Sequence, residues 1–513
     1  MKKVFIPLIL FLFPLLADAA HASDDFSTSA TPAQMLFSFE TLTLDEFNNE
    51  TMGLLGGQLL FEVEQLPWLS VGAAAYGTMT GERGGFITLG FASDAAFDIS
   101  ESLTGHAGIF VGAGGGHGGY QLQGGGLMLR EHLGLVYESG VGDVGLGVSH
   151  VNFPNGHVKS GQGYMSYAYN FYTLVASSWW PLVEENSIEN FRNLSAHEFG
   201  MVYRKYDVHS GVSNAAGGAQ YASLGLVGVE WAHQVNNFSF VNIEAEGAMQ
   251  GHSNGYMQIL LGAGLFYDIN ESLQTSVSIS AGVAGGGAVD TGGGLLADVG
   301  LSLKAKVFED LSLEVELGQV RAPQASFAAN SLTLKFKQEY ATPVVLADEA
   351  VDMESLTGFS AKHVRVRVLQ QTYFELPNAL ASWRTHHANR DVNLLGFQND
   401  YFLDENFFLT GQGIAAYEGQ AGGYMIGLLG AGLVLPLYNG FSLEAEGLIG
   451  AAGGGGLAVG GGLVWQSNAG VSYHWGKSKS VLMQVGRIEA PKGDFAANVL
   501  SLSMGFEFSL FTQ

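Results

Sequence analysis

Hydrophobic and polar residues alternate strictly along several long stretches of this chain. In residues 293–307 the odd positions from 295 onward are apolar, and the even positions include Asp298, Lys304 and Lys306. Residues 463–475 repeat the pattern. A period of two predicts β-strands, because successive side chains of a strand point to opposite faces. Both stretches are about twice as long as an ordinary strand of a soluble protein.

Two aromatic residues mark the ends of the second stretch. Trp465 and Trp475 lie ten residues apart on its apolar face. At about 3.3 Å per residue and a tilt of about 40°, this separation corresponds to roughly 25 Å along a membrane normal. The pattern therefore predicts strands that cross a bilayer.

The chain contains three copies of one unit. Pro323 and Pro491 stand in nearly identical sequences 168 residues apart. Three glycine clusters have the same period of 168 residues, and they end at Leu127, Leu295 and Leu463. Solenoid repeats are shorter, about 20–50 residues, so this period indicates duplication of a whole domain.

The repeats and their connections give the predicted organisation of the chain. It consists of a signal peptide at 1–22, repeats at 31–171, 195–340 and 362–513, and linkers at 172–194 and 341–361. Eight alternating stretches can be counted in each repeat, with short turns and longer loops between them in alternation. These features predict an all-β fold, an antiparallel transmembrane β-barrel of about 24 strands in three eight-stranded repeats.

The N-terminus and the composition agree with an envelope protein. Two lysines precede a short apolar run that ends in Ala20-His21-Ala22, which is the pattern of an export signal. There is no cysteine, so neither a disulfide nor a thiolate metal site can form. The formal charge of −26 argues against binding to nucleic acid, which requires clustered lysine and arginine.

The last strand carries a recognisable motif. Ser503, Gly505, Phe508 and Leu510 fit the order polar, any, glycine, any two, aromatic, any, hydrophobic. This stretch resembles the C-terminal assembly signal of bacterial outer-membrane β-barrel proteins. The resemblance implies insertion by the barrel-assembly machinery, contact with outer-membrane lipid, and location in the outer membrane of a Gram-negative-type bacterium. The chain departs from the pattern by continuing to Phe511-Thr512-Gln513.

Two arrangements of the strands remain open. Linkers of about 20 residues are longer than a turn between neighbouring strands requires, which favours three tandem eight-stranded barrels. Only the third repeat has the terminal motif with its glycine, which favours one barrel closed by the final strand. We slightly favour the single large barrel.

Charged residues occupy the face opposite the apolar one. The predicted inward-facing charges are Glu244, Glu246, Asp298, Lys304, Lys306, Glu314, Glu316, Arg365, Arg367, Glu444 and Glu446. Pairing of the hairpin 301–317 about residue 310 would place Lys304 beside Glu316 and Lys306 beside Glu314. Such charges would line water in a wide barrel, whereas in an eight-stranded barrel they would form a structural polar core.

The glycine clusters and the histidines are the remaining candidate sites for chemistry. No helix pattern or GK[ST] follows the glycines, so they predict bends or close backbone contacts and not a nucleotide site. His150 and Asn152 resemble the catalytic segment of outer-membrane lipid A deacylases, but asparagine stands where that family has its serine nucleophile. His386-His387 have no metal-site spacing. We therefore expect neither an enzyme, nor a cofactor, nor a metal site.

These expectations lead to two hypotheses for the function. The first is a passive outer-membrane channel with an acidic lumen that admits small polar solutes. The second is a structural or surface-interaction protein made of plugged eight-stranded barrels. A soluble secreted β-protein is a less favoured alternative hypothesis.

Overall fold

A computed structural model describes residues 28–63, 66–139, 142–176, 194–308, 310–343, 360–375, 384, 391–476 and 478–512. The predicted signal peptide, the pair His386-His387 and most of both predicted linkers lie outside these residues. The described part consists almost entirely of β-strands. None of its helices is long and apolar enough to cross a membrane.

The first eight strands form barrel 1. They are β1 (Thr28–Leu44), β2 (Glu50–Val63), β3 (Leu66–Gly81), β4 (Ile87–Ser100), β5 (Leu103–Gly115), β6 (Leu127–Tyr137), β7 (Asp143–Asn152) and β8 (Lys159–Ala176). A single helical turn, α1 (Gly119–Gln123), lies in the loop between β5 and β6.

The next eight strands form barrel 2. They are β9 (Leu194–Val208), β10 (Ser223–Asn236), β11 (Ser239–Gln250), β12 (Met257–Asn270), β13 (Leu273–Gly285), β14 (Leu295–Lys306), β15 (Leu311–Arg321) and β16 (Ala328–Pro343).

The last eight strands form barrel 3. They are β17 (Ser360–Glu375), β18 (Val392–Phe402), β19 (Phe407–Glu418), β20 (Met425–Pro436), β21 (Phe441–Gly453), β22 (Leu463–Trp475), β23 (Lys479–Glu489) and β24 (Ala496–Thr512).

Each repeat closes on itself through its first and last strands. β1 pairs antiparallel with β8, β9 with β16, and β17 with β24. The prediction of an all-β antiparallel fold of 24 strands in three eight-stranded repeats is confirmed. Our preference for one large barrel was wrong, because the first strand of every repeat takes its partner from its own repeat. The architecture is that of the outer-membrane β-barrel proteins whose motif the C-terminus resembles.

One further strand contact joins barrels 1 and 3. Ser509 pairs with Ala176 and Leu510 with Val175, at the ends of β24 and β8. Phe511, just beyond the assembly motif, is buried. The residues at and beyond the end of the motif thus lie at an inter-barrel seam, which gives a structural role to the departure from the usual terminal pattern.

The barrels have apolar exteriors and polar interiors. Large apolar side chains such as Leu146, Ile279 and Leu317 are exposed on the outer walls, whereas the charged residues described below are buried inside. This is the reverse of a soluble protein, in which contiguous exposed apolar surface is small. The arrangement follows from strict alternation, since each strand presents one face to either side.

The two ends of each barrel differ. Four loops on one side of each barrel, including 209–222 and 286–294 in barrel 2, are long, whereas the turns on the other side, such as 237–238 and 271–272, are short. Exposed aromatic residues cluster near the short turns: Trp68, Tyr137, Phe238, Tyr267, Phe308 and Tyr438. Such a row of aromatics is typical of a membrane–water interface.

Candidate functional site

The interior of barrel 2 is filled by a network of buried ion pairs centred on Arg204. Its Nε donates to Glu246 at 3.0 Å, its Nη1 to Asp298 at 2.9 Å, and its Nη2 to Glu244 at 2.5 Å. The guanidinium on β9 therefore reaches β11 and β14 at once. A side chain that bridges three strands across an eight-stranded barrel occupies the space a lumen would need.

Lysines of the last strand complete this network. Lys335 Nζ lies 2.8 Å from Glu230, 2.6 Å from Glu244 and 3.2 Å from Glu316. Lys337 Nζ lies 2.8 Å from a carboxylate oxygen of Glu314. Both lysines are buried, and both have carboxylate partners on strands from β10 to β15. Charges buried in this way are stable only when they are paired and hydrogen-bonded, as these are.

In barrel 3 two arginines form the buried ion pairs that cross the interior. Arg365 binds Glu444 through both Nη atoms, at 2.9 and 2.8 Å, and its Nε lies 2.8 Å from Asp400. Arg367 lies 2.9 Å from Asp400 and 2.7 Å from Glu446. The arginines belong to β17 and the glutamates to β21, on opposite walls, so these contacts cross the barrel.

Barrel 1 has a smaller network that includes histidines. Arg130 Nε donates to Glu40 at 2.7 Å, and Asp94 accepts from His106 Nδ1 at 2.5 Å and from His132 Nε2 at 3.1 Å. The three barrels thus fill their interiors with different residues on different strands. The polar core has diverged between the repeats.

Apolar layers close the interiors on the long-loop side of these networks. In barrel 2 the layer includes Tyr206, Leu224, Tyr256 and Phe327, each almost fully buried. Equivalent clusters in the other barrels include Phe86 and Phe153, and Tyr424 and Phe495. A polar solute would have to displace both the ion pairs and this apolar layer to pass through.

The structure places ten of the eleven predicted inward-facing charges inside the barrels. Glu244, Glu246, Asp298, Glu314 and Glu316 are buried in barrel 2 together with Lys304, and Arg365, Arg367, Glu444 and Glu446 are buried in barrel 3. Lys306 is the exception: it is exposed at the end of β14, where the strand leaves the barrel wall.

The predicted charge ladder in the hairpin 301–317 has a different register. Lys304 stands opposite Glu314, and Lys306 stands opposite Ser312, two residues from the predicted pairing. The amine of Lys304 contacts Glu198 and Glu339 of other strands instead. The turn includes residues 307–308, whose backbone bonds to Leu311, and this moves the centre of the hairpin.

The residues of the C-terminal motif divide between the two faces of β24. Ser503 and Gly505 face the interior, where an added Cβ at Gly505 would lie 3.1 Å from Cδ of Arg365. Phe508 and Leu510 alternate with them and face outward. The motif glycine therefore also makes room for a core arginine.

Several members of the networks were missed from the sequence. Four buried cations each contact residues on other strands: Arg130, Arg204, Lys335 and Lys337. None of them belongs to a glutamate pair or an arginine pair spaced two residues apart, which was the feature that identified most of the other inward-facing charges. The signal was present in LTLKFKQ, residues 332–338, where both lysines alternate with apolar residues. Some of their carboxylate partners lie on the neighbouring strand β15, as Glu316 does, and others lie on distant strands, as Glu244 does on β11, so alternation alone could not identify them.

Glycine loops join barrel 1 to barrel 2 on the long-loop side. The amide of Gly84 donates to the carbonyl of Gly292 at 3.0 Å. An added Cβ at Gly85 would lie 2.6 Å from the carbonyl carbon of Gly285. The loop between β3 and β4 of barrel 1 thus packs on the loop between β13 and β14 of barrel 2.

The same contact recurs at the other two interfaces. An added Cβ at Gly255 of barrel 2 would lie 2.7 Å from the amide of Gly454 in barrel 3. One at Gly115 of barrel 1 would lie 2.8 Å from the amide of Gly423 in barrel 3. The order is therefore cyclic, barrel 1 to 2, 2 to 3, and 3 to 1, and the ring closes within one chain.

This ring explains why the glycine clusters recur in all three repeats. Gly85, Gly255 and Gly423 also share a positive φ, of 82°, 82° and 92°. Side chains at the interface would separate the backbones, and glycine alone avoids that clash while adopting this conformation without strain. The close backbone contacts predicted for the glycine clusters are therefore present at these interfaces.

An apolar cluster fills the space where the three barrels meet. It contains Ile87, Ala113, Val283, Leu395, Ala415, Tyr417 and Met425, contributed by all three barrels. Phe91 of barrel 1 and Phe397 of barrel 3 lie beside it, with ring centroids 4.2 Å apart. The space between the barrels is therefore packed by side chains at this level.

The loop histidine His117 lies among charged groups near the interface of barrels 1 and 2. Burial and the nearby Arg83 guanidinium lower its pKa, and Glu50 and Asp290 act in the opposite direction with smaller effect. Asp290 belongs to barrel 2, so the electrostatics of this loop involve both barrels.

The segment that resembles lipid A deacylases lies on the outer wall of barrel 1. His150 stands opposite Glu131, and Asn152 stands opposite Lys159 at the long-loop end of β7. Among the described residues, no group of three or more histidine, cysteine, aspartate or glutamate side chains is placed to hold a metal ion.

Comparison with known proteins finds only remote likeness. No protein-family model and no curated protein matches the chain. Among solved structures, the ferric enterobactin receptor of Pseudomonas aeruginosa has 8% identity and a TM-score of 0.27, covering 93% of this chain and 81% of that one. The siderophore receptor PirA of Acinetobacter baumannii has 7% identity and a TM-score of 0.27, with 93% and 80% covered.

OpdQ of Pseudomonas aeruginosa gives a similar result, with 8% identity, a TM-score of 0.22, and 94% and 99% of the two chains covered. Scores of this size carry no argument about function. The closed barrels of the chain itself establish its architecture.

Proposed function

We propose that this chain is an integral outer-membrane protein of three sealed barrels, which serves as a rigid platform for interactions at the membrane surface. The observation that carries the proposal is the filling of each interior by ion pairs that cross it. Arg365 and Arg367 on one wall of barrel 3 hold Glu444 and Glu446 on the opposite wall.

Residence in the membrane is supported by the outer surface. Exposed side chains such as Leu133, Leu146, Ile279, Leu301 and Met483 cover the barrel walls. Burying apolar surface gains about 25 cal/mol per Å², so a bilayer is the environment in which this surface is stable. The export signal and the C-terminal assembly motif support the same location.

Sealing is supported by the energetics of the interior. Removing one partner of a buried ion pair costs about 3–5 kcal/mol, because the other charge is left without compensation. Opening barrel 2 would break the contacts of Arg204, Lys335 and Lys337 together. Thermal fluctuation supplies far too little energy for that.

The role as a platform is supported by the glycine ring. It fixes the long loops of three barrels next to one another on one face, through backbone bonds such as Gly84 to Gly292 and Gly423 to Gly114. A rigid scaffold carrying adjacent loops is the usual arrangement for binding at a surface.

A passive channel is the second candidate, and one observation favours it. The network of barrel 2 contains more acids than bases. Its carboxylates are Glu198, Glu230, Glu244, Glu246, Asp298, Glu314, Glu316 and Glu339, and its cations are Arg204, Lys304, Lys335 and Lys337. Such an excess would favour small cations if a water-filled path existed.

Conductance separates the two candidates. The refolded mature protein is inserted into a planar bilayer, with insertion verified by its resistance to protease in parallel vesicles. We expect inserted protein without conductance steps. Cation-selective steps from inserted protein would establish the channel and overturn the platform.

Orientation is tested in whole cells, and the lack of native cysteine makes the test specific. Ser210→Cys lies in a long loop and Glu271→Cys in a short turn. A membrane-impermeant maleimide should label the first on intact cells and the second only after lysis. Recovery of the protein in the culture supernatant would contradict both candidates.

A further inference from the structure

A groove crosses the outer wall of barrel 2 near its long-loop side. Its volume is about 440 Å³, and it is lined on β13, β14 and β15 by the exposed side chains of Val277, Val299, Leu301 and Leu317. This volume lies within the range of about 300–1,000 Å³ that is usual for small-molecule sites. Because these side chains are apolar and lie on the wall that faces the bilayer, the groove suits a hydrocarbon chain.

The floor of the groove is a row of residues without outward side chains. Gly300 of β14 stands opposite Gly318 of β15, which stands opposite Ser331 of β16. The side chain of Ser331 is buried inside the barrel. On its outer face this row therefore presents backbone alone, between two rows that carry outward side chains.

The edge of the groove nearest the long loops is polar. Gln319 and Asn330 border it, and both are exposed. Oδ1 of Asn330 accepts from Nε2 of Gln319 at 3.4 Å and lies 3.3 Å from Nε2 of His209. Both contacts use the oxygen of Asn330, so its Nδ2 hydrogens are available to an acceptor. A headgroup with ester or phosphate oxygens would find a donor at this edge.

An arginine stands beside this polar edge without an acidic partner. Arg321, two residues after Gln319 on the outer face of β15, is exposed, and no carboxylate of the described residues forms an ion pair with it. The nearby Lys205 and Asp207 lie two strands away on β9 and carry opposite charges. A guanidinium binds phosphate oxygens through two parallel N–H bonds. Arg321 is therefore a suitable anchor for a phosphate group.

The equivalent hairpin of barrel 3 has its cation neutralised. Arg487 and Glu489 take the places of Gln319 and Arg321, 168 residues later. There Nε of Arg487 donates to Glu489. In barrel 1 the place of Arg321 is taken by Asn152, which has no charge. Of the three last hairpins, the one in barrel 2 thus presents an arginine that no described carboxylate compensates.

We propose that barrel 2 binds a membrane lipid with a phosphate headgroup, whose acyl chain lies in the groove and whose phosphate contacts Arg321. The chain packs on Leu301 and Leu317, and Asn330 donates to an oxygen of the headgroup. This inference rests on the proposed residence in the membrane and adds one specific lipid site to it.

Native mass spectrometry of the refolded mature protein tests the proposal. The probes are dioleoylphosphatidic acid and dioleoylphosphatidylcholine, which share their acyl chains and differ in headgroup charge. We expect phosphatidic acid to bind at a concentration roughly fivefold lower than phosphatidylcholine, because one basic residue at a membrane surface attracts an anionic lipid by about this factor. Equal binding of the two lipids would overturn the proposal.

Two charge variants assign the headgroup contact. Arg321→Gln and Arg487→Gln each remove one positive charge from the last hairpin of a barrel, so they change the net charge equally. Arg321→Gln should abolish the preference for phosphatidic acid, whereas Arg487→Gln should keep it. An unchanged preference in Arg321→Gln, or an equal loss in both variants, would overturn the assignment to Arg321.

Two tryptophan variants test the groove. Leu317 of barrel 2 and Leu146 of barrel 1 are 63% and 64% exposed on their outer walls. Leu317→Trp places a large side chain in the groove and should weaken the binding of phosphatidic acid, whereas Leu146→Trp should leave it unchanged. Equal effects of the two would overturn the groove as the site of the chain.

A soluble competitor separates a lipid from a free phosphate compound as the ligand. Glycerol 3-phosphate has the charged headgroup without the chains, so it should not displace bound phosphatidic acid. Displacement at equal concentration would overturn the lipid as the ligand.

Failure of this proposal can be distinguished from failure of the proposed function. Protein that fractionates with the outer membrane but binds both lipids equally would contradict the lipid site alone. Protein recovered in the culture supernatant would contradict residence in the membrane and, with it, the lipid site.

Discussion

Gly453 of barrel 3 and Gly255 of barrel 2 pack backbone to backbone, so closely that an added Cβ on Gly453 would overlap the amide nitrogen of Gly255. The neighbouring carbonyl carbon of Asn254 would lie 2.7 Å from the same Cβ. These contacts involve backbone on both sides, so neither can be relieved by turning a side chain.

Gly453→Ala is therefore expected to weaken the contact between barrels 2 and 3. Gly453 does not have a positive φ, so the cost comes from the interface and not from backbone strain. Overpacking of this kind costs about 1–3 kcal/mol. Thermal unfolding in detergent should show a lower melting temperature.

Gly427→Ala provides the matched control. An added Cβ there would have no described atom within 4 Å, and its φ is also not positive. This variant should unfold like the wild type. Equal effects of the two substitutions would contradict the interface as the cause.

Much of the fold could be predicted from the sequence because alternation is a local property. The inward positions of Glu244, Glu246, Glu444 and Glu446 follow from it directly. The exposed position of Lys306 could not be predicted from alternation, because the strand ends at this residue. The hairpin register could not be predicted either, because it depends on the number of residues in the turn. A shift of two keeps each side chain on its face and changes only its partner.

The closure of the barrels could not be predicted in the same way. It depends on whether β1 pairs with β8 or with a strand of another repeat. The alternation of polar and apolar residues is the same in both cases, so it cannot distinguish them. The ion pairs have the same origin: Arg204 meets Asp298 across 94 residues of sequence. The glycine spacing did contain the information that the interfaces are equivalent.

Arg204→Met should destabilise barrel 2 strongly. It removes the arginine that binds Glu244, Glu246 and Asp298 while leaving these carboxylates buried, and of the three only Glu244 keeps a contact with Lys335 within the described network. The expected loss is about 3–5 kcal/mol in the free energy of unfolding, measured by urea titration in lipid vesicles with tryptophan fluorescence. Lys306→Met in the same barrel changes an exposed lysine and should alter stability by less than about 0.5 kcal/mol. A small effect of Arg204→Met would indicate that water already reaches these carboxylates.

His117 should make the loops of barrels 1 and 2 less stable in acid. Its pKa in the folded protein lies below the ordinary 6.5, chiefly because of burial and then Arg83. A lowered histidine pKa contributes stability that is complete above the unfolded value and is lost as the pH falls through the folded one. His117→Gln should therefore lose less melting temperature between pH 7.5 and 5 than the control His157→Gln, which changes an exposed histidine of the same barrel. The opposite order would contradict the assigned sign.

An engineered disulfide can test the seam between barrels 1 and 3. Because the sequence contains no cysteine, only the introduced pair can form a disulfide. Leu510 and Val175 are cross-strand partners, and directly opposed positions of antiparallel strands suit a disulfide. The double variant Leu510→Cys and Val175→Cys should oxidise readily. After protease cleavage at sites introduced into both linkers, barrels 1 and 3 should migrate together on a non-reducing denaturing gel and separate on reduction. A control pair of Leu510→Cys with Val277→Cys, on the exposed wall of barrel 2, should not link. Linking of the control pair instead would mean that the end of β24 lies against barrel 2 and not against β8.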